Sequence, residues 1–296
     1  MDHMEQIDQQ ALEQLSNKIN KLAREIERLT HTRRRLEKMR SLIRATNPKP
    51  FELASECFDL KRHDAELATE LREIFSYAIS LAVGELRKYQ PKLQHELQGE
   101  GLTVEGSQGE YKVDNLIDVK IIFNEDEGRC EAEIRTCSRC APIRLKGDIS
   151  PEKVAHVISQ HMKRLKKDRF KDAEFIELLE QAYDNAVSTG GPPQLPEKPV
   201  PIMDVYRHFL VLLQRERSLT DITGKSFNFV PLDEFVMAIG RLLANNVTRA
   251  HDGRMMKLHP ERNPRDSIAI TNLATGTRQN YGQISFIVKA TEGGNA

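Results

Sequence analysis

The chain has 296 residues, 39% hydrophobic and 30% charged, and its 44 Lys and Arg balance 44 Asp and Glu to a formal charge of +0. At roughly 100 to 200 residues per domain this length accommodates two domains or a small three-part assembly, and any preference for a charged partner has to come from uneven placement of charge. The longest apolar stretch, around Ile74 to Val83, is interrupted by Ser76, Tyr77 and Ser80, which excludes the run of roughly 18 apolar residues that a membrane span needs.

The start, Met-Asp-His-Met-Glu, carries no basic segment followed by an apolar one, so no secretory signal is expected. Four cysteines in so long a chain do not make a disulfide framework and read as cytoplasmic thiols. The expected fold class is α+β and multi-domain. A coiled-coil and helical arm is expected over residues 1–92 and a small α+β domain over 93–187. A proline- and glycine-rich linker over 188–200 leads to a helix-rich domain with a β-hairpin over 201–296.

In the arm, Leu12, Leu15, Ile19, Leu22, Ile26 and Leu29 alternate steps of three and four, the spacing of a coiled-coil seam. Ile19 and Ile26 fall at position a with Leu12, and Leu15, Leu22 and Leu29 fall at d, a pattern that favours a parallel two-stranded coil. The same register places Arg33 and Arg40 at a, with Leu36 and Ile43 at d, so the seam turns polar toward its end. Two arrangements follow: a homodimer or other intermolecular coil, and a hairpin against a later helix. That later helix, from Asp64 to about Tyr89, carries Leu67, Leu71, Ile74, Phe75, Ala78, Ile79, Leu81, Ala82 and Leu86, and Asn47-Pro48-Lys49-Pro50 breaks the chain before it. Between His31 and Arg44, Arg33, Arg34, Arg35, Lys38, Arg40 and Arg44 stand against the single acid Glu37, a net +5 over fourteen residues. Such a face suits phosphates and equally suits a solvated helix.

Beyond Pro91 the pattern changes to alternation. Ile117, Val119, Ile121 and Phe123 share one strand face, Asn124-Glu125-Asp126-Glu127-Gly128 makes a turn, and Cys130, Ala132 and Ile134 share a face of the next strand. Ile143 and Leu145 belong to a third. Ser150-Pro151-Glu152 then opens a helix with an N-cap, a proline in the first turn and an acid. Its stripe is Val154, Val157, Ile158, Met162 and Leu165, and a second helix carries Phe175, Ile176, Leu179, Ala182 and Tyr183. His156, Gln160, Lys163 and Lys167 lie opposite the stripe. With Arg164, Lys166, Arg169 and Lys171 they give a second basic face of net +5 from His161 to Lys171.

Several chemical signals are incomplete. Cys130, Cys137 and Cys140 form C-x6-C-x2-C, half of a zinc knuckle or a redox pair, but no second close pair completes a four-ligand site, so buried thiols and no metal are expected. Gly224-Lys225-Ser226 lacks the glycine five positions earlier that a phosphate loop requires, Leu219 standing there. Asp114, Asp118, Glu131 and Glu133 are the nearest approach to a metal-dependent nuclease, yet they read better as the polar face of a half-solvated sheet. No catalytic residue and no cofactor is expected.

Ser188 to Pro201 holds five of the 13 prolines and reads as a semi-rigid linker. Beyond it Val205, Tyr206, Phe209, Leu210, Leu212 and Leu213 mark one buried helix, and Leu232, Phe235, Val236, Ile239, Leu242 and Leu243 another. Short β-like runs follow at 255–258, 267–272 and 283–288. Helices followed by a β-hairpin make this region winged-helix-like by order of elements alone. From Arg241 to Lys289 eight bases, among them Arg241, Arg249, Arg254 and Lys257, face three acids, a net +5. Asn245, Asn246 and Arg249 are placed to meet a DNA backbone, with the loop from His259 to Asp266 as a wing.

The sequence therefore leads to a non-catalytic, oligomerising subunit that binds DNA or a DNA-bound partner through basic faces and bridges components of a larger assembly. By analogy of layout, an ATPase is a possible partner subunit. The alternatives are the metal-dependent nuclease and a purely protein–protein adaptor.

Overall fold

The computed structural model describes residues 2–45, 49–63, 69–137, 139–189, 197–214, 227–263 and 265–288, the side chains of residues 2–12 and of 63 apart. The side chain of Leu12, residues Asn47, Pro48, Asp64 and Leu67, most of the proline-rich stretch, the Gly224-Lys225-Ser226 triplet and Lys289 lie outside that description. The chain mixes helix with antiparallel sheet. It divides into two units, one of residues 1–89, 122–131 and 145–150, the other of 90–121, 132–144 and 151–296.

The first unit is built on three helices. α1 runs Asp2–Arg44, and no glycine or proline interrupts it, so at 1.5 Å per residue it is about 65 Å long. α2 (Pro50–His63) starts on its proline with Glu52 in the first turn, which suits the missing N–H and the positive end of the helix dipole. Among the described side chains of α1, those of its C-terminal part reach the core. There Met39 and Leu42 meet Leu53, Ala54, Cys57 and Leu60 of α2, together with Leu71 and Ala78 of α3 (Glu70–Arg87). Phe51 packs edge-on against Phe123 at 5.7 Å. Gly128 holds φ +60, and a Cβ there would stand 2.7 Å from the Ala54 carbonyl oxygen, so only glycine fits.

Along the chain α4 (Tyr89–Gln98) leads to a β1 (Val104–Ser107) and β2 (Glu110–Val113) hairpin. Its two turn residues, Gln108 and Gly109, have φ of 53° and 86°, the left-handed pair that matches the twist of paired strands. β3 (Ile117–Asn124), β4 (Arg129–Arg135) and β5 (Ile143–Lys146) extend the sheet in the order β1-β2-β3-β4-β5. Ile117, Val119 and Ile121 on β3 are buried, as are Cys130, Ala132 and Ile134 on β4, so the alternation read from the sequence is the alternation of burial.

α5 (Pro151–Leu165) and α6 (Asp172–Thr189) follow, then β6 (Val200–Pro201), α7 (Ile202–Leu212) and α8 (Leu232–Ala244). A second antiparallel sheet has β9 (Arg278–Ile287) between β6 and β7 (Met255–Pro260), and β8 (Ile268–Thr271) also pairs with β9. The core between sheet and helices joins Phe175 of α6, Phe209 of α7 and Phe235 of α8, with ring centroids 5.2–5.8 Å apart. Residues on both sides of the proline-rich stretch thus share one core, because α6 turns its apolar face onto α7.

Candidate interaction surfaces

The five described seam residues, Leu15, Ile19, Leu22, Ile26 and Leu29, are each between 52% and 65% exposed. Leu36 and Ile43, the next d positions, are exposed as well, whereas Met39 and Leu42 are buried. At about 100° per residue, Arg35 and Leu42 at position c and Lys38 at f lie about 100° or more around the helix from the a and d positions, while Met39 at g flanks the seam. The contacts that α1 makes with α2 therefore leave the seam open. An apolar stripe of this length, from Leu15 to Leu29 on a charged helix, is costly to leave in water.

The basic face at the end of α1 divides. Arg35 reaches Glu56 at 3.3 Å and Asp59 at 3.2 Å, and Lys38 lies 2.8 Å from both Glu52 and Glu56. Hydrogen bonds to Glu52 and then Glu56 hold the Lys38 ammonium above its ordinary pKa. Arg33 pairs with Glu37 one turn on, at 2.9 Å. Arg34 is exposed.

The second face divides in the same way. Lys163 pairs with Glu100 at 3.2 Å, and Arg164 bridges Asp233 and Glu234. Lys167 is exposed. Of the bases beyond the linker, Arg241 reaches Asp168 and Asp172, each at 2.5 Å, and donates to the Phe170 carbonyl at 2.7 Å. Arg254 is held by Asp184, Asp252 and Glu180. Arg249 and Lys257 are exposed. Among the described residues, Arg34, Lys167, Arg249 and Lys257 have no carboxylate partner, and the other seven residues of the basic set act on their own chain.

The middle carboxylates are also engaged. Asp114 accepts from the Thr103 N–H and hydroxyl at 2.8 and 2.9 Å, Asp118 is forked by Arg278, and Glu131 meets Lys146 at 3.0 Å. Burial pushes the Glu133 carboxyl up, but hydrogen bonds from Arg135 and Arg144 outweigh it and leave the group below its usual range. Among the described residues no group of three His, Cys, Asp or Glu is arranged to hold a metal ion. No described helix is long and apolar enough to cross a membrane.

Asp252 apart, the carboxylates that neutralise Arg241 and Arg254 escaped the sequence reading, since Asp168, Asp172, Asp184 and Glu180 lie 69 to 74 residues away along the chain. No local pattern signals such a pair. No family model, curated protein or solved structure matches the chain.

Proposed function

We propose that this chain is a non-catalytic subunit that pairs with a second copy of itself through α1 and bridges components of a larger assembly. The exposure of the a/d stripe from Leu15 to Leu29, which the contacts with α2 do not cover, carries this reading. Ile at a and Leu at d select a parallel two-stranded coil, and a single copy offers these side chains only water. The four thiols suit a reducing cytoplasm.

DNA, or a protein bound to DNA, is the second component of this reading. Of the eleven candidate bases, Arg34, Lys167, Arg249 and Lys257 have no carboxylate partner among the described residues and are the ones left to meet phosphates, and winged-helix-like use of residues 201–296 would employ the last two. An ATPase subunit fits the same bridging role. The nuclease alternative is weaker, because Asp118 and Glu133 would first have to give up their arginines, and the pure adaptor remains the reading if no nucleic acid binds.

The test is Ile19→Asp with Ile26→Asp in the full chain, followed by sedimentation. These side chains touch nothing in the first unit's core, so the variant should stay folded and sediment as a monomer where the parent is a dimer. An unchanged mass would remove the proposal.

A further inference from the structure

Cys137 and Cys140 stand where β4 leaves the sheet, in the connection to β5. The Cys140 N–H donates to the Cys137 carbonyl at 3.1 Å, and this turn brings the two Sγ atoms to 2.7 Å. Both are free thiols, Cys137 fully buried and Cys140 8% exposed. Their surroundings differ. The two thiols share a hydrogen bond, the backbone N–H groups of Arg139 and Cys140 point at the Cys137 sulfur, and the Arg278 guanidinium adds positive charge near it. Arg278 is fixed in place by its fork on Asp118, at 2.6 and 2.7 Å, and by the Thr136 carbonyl at 3.1 Å.

We propose that Cys137 and Cys140 are a reactive dithiol that a hydroperoxide converts reversibly to an intramolecular disulfide, with Cys137 reacting first. The hydrogen bond with Cys140, ahead of the opposing effect of burial, draws the Cys137 thiol below its ordinary pKa, which raises the fraction present as nucleophilic thiolate. The same hydrogen bond, burial and the charges of Cys137 and Asp233 push Cys140 up, so it keeps its proton until the second step. Cys57 and Cys130 are pushed up to about 12, chiefly by burial, and are the unreactive thiols of the chain.

The Cys137 thiolate attacks one oxygen of the hydroperoxide, and the O–O bond breaks. The Cys137 sulfur becomes a sulfenic acid, and the departing oxygen leaves as hydroxide or alkoxide and takes a proton from water. Cys140 then attacks that sulfur, the S–O bond breaks, and the leaving hydroxide takes the Cys140 proton to become water. Two thiols lose two electrons and the peroxide gains them. Burial of both sulfurs favours an oxidant near the size of water over a bulky disulfide, and the contact between the sulfurs makes closure faster than further oxidation of the sulfenic acid.

Hydrogen peroxide added to the full chain, followed by alkylation and peptide mass analysis, tests this. The expected result is loss of two of the four alkylatable thiols, a 137–140 disulfide reversed by dithiothreitol, and Cys57 and Cys130 still alkylated. With Cys140→Ser, a sulfenic acid should persist on Cys137 and be captured by dimedone. Four alkylatable thiols after a tenfold excess of peroxide would overturn the proposal for the parent chain, whatever the variants do. So would about one zinc per chain held by these two sulfurs in the protein as purified.

Discussion

Arg254 sets its two terminal nitrogens against the two carboxylate oxygens of Asp184, each at 2.8 Å, and so ties the entry to β7 to α6. Its Nε lies 2.6 Å from Asp252 and 2.9 Å from Glu180, so one guanidinium serves three acids. A base held in this way contributes to stability more than to binding.

Arg254 and the pair Arg249 and Lys257 should consequently respond differently to truncation. Arg254→Ala should cost about 2 kcal/mol in urea unfolding, because it strands acids that are partly shielded from water, and Arg254→Lys should recover little, since an ammonium cannot fork. Arg249→Ala with Lys257→Ala should leave stability within about 0.5 kcal/mol while weakening DNA binding and making its salt dependence shallower. The full chain is the proper material, since a fragment of residues 201–296 would strip α6 from α7 and expose both apolar faces. Equal loss of stability in the two variants would contradict this division.

Glu180 carries a pH dependence opposite in sign to that of carboxylates such as Glu133 and Asp172, which the fold holds below their ordinary pKa. Burial first, and a hydrogen bond with Asp252 second, push its carboxyl from 4.5 up to about 7. Between those values the folded chain holds a proton that the unfolded chain releases. This contribution to stability is therefore complete below 4.5 and is lost as pH rises through about 7. Glu180→Gln removes the titration. The variant should match the parent near pH 4 and exceed its stability by about 2 kcal/mol near pH 8. Parallel stability curves for the two across that range would refute it.

What the sequence disclosed was local. The α1 seam could be read because its period lies within a single helix, and the β3 and β4 faces because alternation and burial coincide at Ile117, Val119, Ile121, Cys130, Ala132 and Ile134. α2 was missed because Pro50, which reads as a chain break, is also an ideal first residue of a helix. The β1–β2 hairpin was missed because its strands have four residues each, with only Val104, Tyr111 and Val113 buried. Counting charges located Arg241, Arg254 and the neighbouring Asp252 but not Asp168, Asp172, Glu180 and Asp184, which the fold brings from far along the chain. In the same way the apolar stripe of α6 could be read, while the helix it would face could not.

That pairing of α6 with α7 can be tested through the aromatic cluster at its centre. Phe209 is fully buried, with ring centroids 5.5 Å from Phe175 of α6, 5.2 Å from Phe235 of α8 and 5.7 Å from Phe170. Three neighbouring rings cannot all move into the space that truncation leaves, so Phe209→Ala combines lost burial with a residual cavity and should cost about 3–5 kcal/mol. Phe209→Leu keeps most of the volume and should cost roughly half as much. The edge-to-face geometry with Phe175 adds a further term of about 0.5–1.5 kcal/mol, which a double-mutant cycle of Phe209→Leu with Phe175→Leu isolates. The milder substitutions keep the double variant folded enough to measure. Additive losses in that cycle, together with a cost below about 1 kcal/mol for Phe209→Ala, would mean that α6 and α7 do not share a core across the proline-rich stretch.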